Sequence, residues 1–282
     1  MKPAIVIQTD FSSAWCAAAE MKGVIRITDP ELDVIDATHE IRPFDVWEAS
    51  LSLNALEPYW PSGTVFISVV DPDVGTDRTA CAARLNDGSF VFTPDNGTLT
   101  HLLHSTGIEE VRKIDETLHL FHGRNPASVF HGRDLFSCCA AKLASSKICF
   151  ADIGPSYPVE QIIQCGEYFL RPSLSPGKAE GFIQSGNRHF GGICLNLTEA
   201  DLTACGFQFH ELLRTELFHS GTKCYDRFVP LCRTFGETEI GSPLLYPDSS
   251  GFISLDLNRD HFMKRYGIGY GKEWTARISR IV

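Results

Sequence analysis

An uncharged run, Gly63 to Val70 (GTVFISVV), is the longest apolar strand signal in the chain, and it stops at a carboxylate, Asp71. β-Branched and aromatic side chains dominate the run, which suits a strand buried on both faces. The flanking sequence agrees with a parallel sheet. Ala4 to Gln8 (AIVIQ) and Asp33 to Asp36 (DVID) read as further strands, and Ala17 to Ile27 as a helix ended by Pro30. Pro43 suits the first turn of a second helix, with Phe44, Trp47, Leu51 and Ala55 on one face. Pro58 and Pro61 end that helix. Thr79 to Leu85 and Phe90 to Thr93 read as strands joined by an Asn86-Asp87-Gly88 turn, and Thr98 to Ser105 as a short helix. This alternation predicts an α/β fold with a mostly parallel sheet covered by helices.

The pattern changes at Arg171 to Gly177 (RPSLSPG), which reads as a linker. Short strand-like runs follow: Ala179 to Ile183, Ile193 to Leu197, Cys224 to Cys232, Phe252 to Leu257 and Thr275 to Val282. We therefore expect an N-terminal α/β catalytic domain over residues 1–172 and a smaller, β-rich, barrel-like domain over residues 177–282. A chain of 282 residues has room for both.

The formal charge of −10 argues against a nucleic-acid partner. No apolar run is long enough to span a bilayer, and the apolar part of MKPAIVIQTD is too short for a signal peptide. The ten cysteines contain no CxxC, so they are expected to be reduced, buried small hydrophobes in a cytoplasmic protein. His101-x-x-His104 and His119-x-x-His122 lack further ligands at telling spacing, and no metal site is expected. No GxGxxG or P-loop is present, so dinucleotide or NTP binding is unsupported.

Asp71 in VVDPDVGTDR, Arg78 seven residues later and His131 in VFHGRDLF form the candidate catalytic group. A carboxylate, a guanidinium and an imidazole are suited to holding and deprotonating one water. Asp71 ends the buried strand, and His131 precedes an apolar helix pattern, Leu135 to Ala144. Strand ends and helix starts are where sites form in α/β folds.

These pieces occur in order with others: TDF (Thr9 to Phe11), MKGVI (Met21 to Ile25), DATHEIRPFDV (Asp36 to Val46), GTVFISVVDPDVGTDR (Gly63 to Arg78), TPDNGTLT (Thr93 to Thr100) and FHGRDLF (Phe130 to Phe136). Together they resemble the S-adenosylmethionine hydroxide adenosyltransferase family, relatives of the fluorinating and chlorinating enzymes. HFGG (His189 to Gly192), EIGSP (Glu239 to Pro243) and SSGFISL (Ser249 to Leu255) extend the resemblance into the second domain.

The resemblance implies hydrolysis of S-adenosylmethionine to adenosine and methionine without a cofactor. It implies Asp71, Arg78 and His131 as the water-handling group. It also implies substrate contacts from Asp10, which clamps the ribose, and from Phe44, Asn96, Phe130, Gly132, Asn187, Phe190 and Ser249. A homotrimer is implied too, each site lying between the first domain of one chain and the second domain of its neighbour. The halogenating relatives carry tyrosines where this chain has Asp71 and His131, a serine at Gly132, and a long insertion near Asn86-Asp87-Gly88. This chain therefore looks like the water-using branch.

The chain also departs from the pattern. TDFSSAWCA has Ser12 for a glycine, Trp15 for an aspartate and Ala17 for a tyrosine. Asp73 replaces a glycine, in a turn that Asp can enter through a left-handed backbone. Asn187 stands where an aspartate would hold the methionine ammonium, and Gly192 where an asparagine would contact the ligand. An adenosine- or S-adenosylmethionine-binding protein with little turnover, a hydrolase of another adenosyl compound, a halide-using enzyme and a metallohydrolase stay open as alternatives.

Overall fold

The computed structural model describes residues 2–122 and 129–280. Two compact units divide between Tyr168 and Phe169.

The first unit is built on the apolar runs β1 (Ile5–Thr9), β2 (Val34–Thr38) and β3 (Val65–Val69). β1 pairs in parallel with both β2 and β3, and β3 pairs in parallel with β5 (Phe90–Pro94). β4 (Ala80–Leu85) runs antiparallel to β5, and β6 (Ile108–Lys113) and β7 (Ser156–Tyr157) extend that edge in the order β2-β1-β3-β5-β4-β6-β7. The β4–β5 turn is the expected Asn86-Asp87-Gly88, with Gly88 at φ 91°. β6 escaped the sequence reading because IEEVRK buries only Ile108 and Val111 among charged neighbours. Helices α1 (Ala17–Thr28), α2 (Val46–Leu56), α3 (Thr100–His104), α4 (Glu116–His119) and α5 (Cys138–Ala144) complete the unit. Ile5, Ile7, Ile67, Phe92 and Phe136 pack in one core with α1 and α5 residues such as Met21, Ile25, Ala140 and Ala141.

Two local expectations need correction. Pro43 does not open α2: Phe44 takes a left-handed backbone at φ 67°, and Asp45 caps the helix by accepting the Glu48 N–H at 3.0 Å. The buried face of α2 is Ala49, Ser50 and Leu53, whereas Ala55 is exposed. Small residues win that face because the sheet approaches closely, the Gln8 amide donating to the Ala49 carbonyl at 2.8 Å. In the loop after β3 the left-handed residue is Gly75 (φ 83°), not Asp73.

The second unit is an antiparallel, nearly closed barrel. Its strands are β8 (Ser173–Ser175), β9 (Lys178–Gly186), β10 (Ile193–Thr198), β11 (Leu212–His219), β12 (Thr222–Pro230), β13 (Pro243–Pro247), β14 (Phe252–Leu257) and β15 (Gly271–Ser279). The order is β12-β11-β15-β9-β10-β14-β13, with β8 on β9. A bridge between Leu231 and Leu245 brings the two ends of that order together. Part of the Pro/Ser stretch is thus a strand, and Ile281 and Val282 of the expected last strand lie outside the described residues. β13 was missed because prolines bound it at both ends, a composition suited to a sheet edge. Alternating side chains from Leu195, Leu217, Val229, Leu255 and Ile278 fill the interior, with α6 (Glu199–Ala204) and α7 (Phe262–Tyr266) contributing Leu202 and Phe262.

All ten cysteines are free, but Cys16, Cys149 and Cys224 are exposed, which corrects the expectation that the set is buried. No helix among the described residues is long and apolar enough to cross a membrane.

Candidate active site

Three neighbouring strands deliver their carboxyl ends to one place. β1 and β3 are in register, Thr9 beside Val69, so Asp10 and Asp71 leave the sheet side by side. β5 lies next to β3, and Asn96, just past its end, donates from Nδ2 to the Val70 carbonyl at 2.9 Å. Its Oδ1 accepts the Thr98 hydroxyl at 2.9 Å, so Asn96 braces the loop that carries Asp71.

Arg78 returns over this loop and grips Asp71. Its Nε lies 3.0 Å from both carboxylate oxygens, and its Nη2 donates to Oδ2 at 2.5 Å. The two side chains are 5% and 7% exposed, so this ion pair is shielded from water. The guanidinium also sits 5.6 Å from the Phe136 ring centroid. From Nη2 the contact continues to His131 Nδ1 at 2.9 Å. A guanidinium only donates, so Nδ1 is the acceptor and the imidazole is neutral with its proton on Nε2. Burial and the Arg78 charge hold the His131 pKa below its ordinary value, in agreement with that tautomer.

His131 enters this contact at the start of a helix that opens as a π-turn, Gly132–Ser137, before continuing as α5. Wide turns of this kind recur at functional sites. The Ser137 hydroxyl donates back to the Gly132 carbonyl at 2.8 Å. A Cβ at Gly132 would stand 3.0 Å from Phe130 and 3.3 Å from Phe11, whose rings meet edge to face. A serine here would crowd that aromatic pair.

Asp10 Oδ2 accepts the Phe44 N–H at 2.9 Å. Burial lifts its carboxyl above the usual range, that N–H opposes the rise, and the nearby Asp71 charge adds to it. Phe44 is 73% exposed, so it is not part of the core. Asn187, Phe190 and Ser249 line a separate cavity of about 1010 Å³, formed within the second unit. The Asn187 side-chain oxygen Oδ1 already accepts the N–H groups of His189 and Phe190 at 3.0 and 2.9 Å. Sequence reasoning missed Phe11 in TDF and Asp256 in FISLDL. The available signal for Asp256 was the one charge in a largely apolar strand.

Of the two histidine pairs, three members, His101, His104 and His119, bond within the first unit. His101 bonds the Ser50 hydroxyl at 2.8 Å, and burial pushes its pKa down to about 4. His104 meets Gln164 at 2.7 Å and His119 the Asp152 carbonyl at 3.0 Å. Among the described residues, no group of three or more His, Cys, Asp or Glu side chains is arranged to hold a metal.

Residues 5–154 match the model of the SAM hydroxide adenosyltransferase N-terminal domain, and residues 187–275 that of its C-terminal domain. The chain belongs to the SAM hydroxide adenosyltransferase family. It is 32% identical to an (R)-S-adenosyl-L-methionine hydrolase of Thermus thermophilus, over 96% of this chain and 98% of that one. It is 25% identical to a fluorinase of an Actinoplanes species, over 97% of each. The crystal structure of an uncharacterized conserved protein from Thermotoga maritima superposes with a TM-score of 0.84 at 27% identity, covering 98% of this chain and all of that one. Asp71, Arg78 and His131 are joined by hydrogen bonds, and Asn187 and Gly192 both line the second-unit cavity.

Proposed function

We propose that this protein hydrolyses S-adenosyl-L-methionine to adenosine and L-methionine. The observation that carries the reading is the continuous Asp71–Arg78–His131 hydrogen-bonded group at the carboxyl ends of parallel strands. Membership of the family and the hydrolase names of its relatives support it.

The chemistry follows from the donors. Water oxygen bonds to C5′ opposite the sulfur, the C5′–S bond breaks, and its electron pair stays on methionine as a thioether. One proton is released. The sulfonium is already a good leaving group, so the demand falls on the water, whose pKa is about 15.7 in bulk. Among the described residues Arg78 Nη1 donates to no side chain, so it is available to hold the developing hydroxide. His131 Nδ1 is occupied by Arg78, and protonating it would break that contact. Asp71 keeps lone-pair capacity beyond its Arg78 bonds and is assigned as the proton acceptor. His131 fixes the guanidinium and presents Nε2–H.

Asp10 is assigned to the ribose hydroxyls, Phe44, Phe130, Phe190 and Gly132 to the ligand walls, and Asn96 to bracing. Asn187 and Ser249 belong to the wall of the second-unit cavity. The proposal includes no cofactor or metal. It includes a cytoplasmic homotrimer, in which the Asp71 end of one protomer is completed by the cavity of a neighbour. Free cysteines agree with a reducing compartment, and the division of the implied residues between two compact units supports the shared site.

The test is adenosine formation from S-adenosylmethionine in the presence of a chelator and without added halide, beside His131→Ala. We expect adenosine and methionine in equal amounts from the parent, and a large loss in the variant. Binding without product would sink the hydrolase reading in favour of an adenosyl-binding protein. Cleavage only of another adenosyl compound would sink the substrate assignment, an outcome to which the altered Asn187 and Gly192 positions give specific weight.

A further inference from the structure

Among the described residues, one carboxylate of the second-unit cavity makes no ion pair, and the basic group that bears on it is the imidazole of His261, which lines the same cavity. Three aspartates line it: Asp248, Asp256 and Asp260. Asp248 accepts the Ser250 N–H at 2.8 Å, the Ser250 hydroxyl, and the Ser254 hydroxyl at 2.7 Å. Asp260 pairs with Arg265 at 3.0 Å and accepts the His261 N–H at 2.7 Å. Asp256 accepts only the Leu257 N–H, at Oδ1 and 2.8 Å. Among the described residues, Oδ2 has no donor, although the residue is 5% exposed.

That oxygen lies over Gly192. A Cβ built on Gly192 would stand 2.4 Å from Asp256 Oδ2, so any side chain at position 192 would displace the carboxylate. The missing side chain and the placed carboxylate are one arrangement: Gly192 makes the room that Asp256 fills. Phe190 and Phe235 offer aromatic surface to the same cavity. A desolvated carboxylate that accepts and does not donate calls for an N–H donor on whatever enters. Burial pushes the Asp256 carboxyl up to about 6, the rise expected where the stabilising partner comes from outside the protein.

We propose that Asp256 is a specificity-determining residue, its carboxylate accepting a hydrogen bond from an amino group of the adenosyl substrate. The inference rests on the functional reading above and assigns it a recognition residue on β14. Two amino groups share this chemistry, the exocyclic amine of the base and the α-ammonium of the amino-acid end, and the experiment separates them.

Calorimetric titration of the full-length protein would compare two ligand pairs: adenosine with inosine, and S-adenosylmethionine with its analogue lacking the α-amino group. The parent should prefer the amine-bearing member of one pair by about tenfold or more, as a charge-assisted hydrogen bond gives. Asp256→Asn should bring that ratio close to one while the amine-free member binds as before. The pair affected identifies the amine. A parent with no preference in either pair, or a variant that keeps both ratios, overturns the proposal. Adenosine release is recorded in parallel. Turnover with unchanged ratios in Asp256→Asn sinks this inference alone. Asp256-dependent binding without turnover sinks the hydrolase reading alone.

Discussion

The strand-end site of the first unit and the cavity of the second handle charge in opposite ways. At the strand ends, Asp71 and Arg78 neutralise one another, and Arg78 then fixes the His131 tautomer. In the cavity Asp256 is buried, and its Oδ2 has no hydrogen-bond donor among the described residues. The first arrangement is held by hydrogen bonds within the protein. The second raises the energy of the empty protein and is relieved by a ligand that brings the donor. Chemistry on a water needs preorganised dipoles, whereas discrimination between substrates is gained by leaving a buried polar group for the right one to satisfy.

Arg78 offers the strongest way to break this comparison. Arg78→Ala leaves the Asp71 carboxylate buried without its cation, and we expect a loss of about 3–5 kcal/mol of stability. Turnover should fall by a factor of about 10²–10³ or more. Denaturant unfolding and adenosine release would measure the two. A variant that keeps either near the parental value would show that the ion pair is incidental.

Asp256→Asn should act in the opposite direction on stability. A carboxyl raised to about 6 in the folded chain contributes stability fully present below its unfolded pKa of about 4, and lost as pH rises through 6. The amide does not ionise. The variant should therefore be more stable than the parent at pH 8 by about 3 kcal/mol, with the gap closing toward pH 4. Melts at both pH values test this. A variant less stable at pH 8 would mean that Asp256 is answered within the protein, and the contrast between the units would fail.

The smallest effect is expected at Ser12, which holds a left-handed backbone at φ 62° beside Asp10. Its hydroxyl accepts the Ala14 N–H at 3.2 Å, and its own N–H donates to the His39 carbonyl at 2.7 Å. Ser12→Gly relieves the backbone penalty and keeps the second bond, for a gain of about 0.5–1 kcal/mol. A lower melting temperature would show that the hydroxyl contact outweighs the strain.

Much of the first unit was legible because its strands are local and apolar. IVIQT, VIDAT and VFISV announce themselves by composition, and Asp10 and Asp71 follow two of them directly. α2 was legible as a helix but not in its face, since periodicity alone favoured large side chains and the close approach of the sheet selected Ala49 and Ser50. β6, β11 and β13 carry charges or prolines that only pairing with neighbours overrides.

The sequence by itself determined the α/β unit, the barrel-like second unit and the three residue types proposed to handle the water. Motif order and residue chemistry are properties of the chain. The tertiary structure decided who bonds to whom. It made Arg78 the bridge between Asp71 and His131, bound the Asn187 side-chain oxygen into its own turn, and placed Asp256 in the space vacated at Gly192. Asp256 lies on β14 and Gly192 just before β10, and no local pattern links them. Their relation arises from antiparallel pairing of β10 with β14, which sets Ile193 opposite Leu255 and so brings the neighbouring Gly192 and Asp256 face to face.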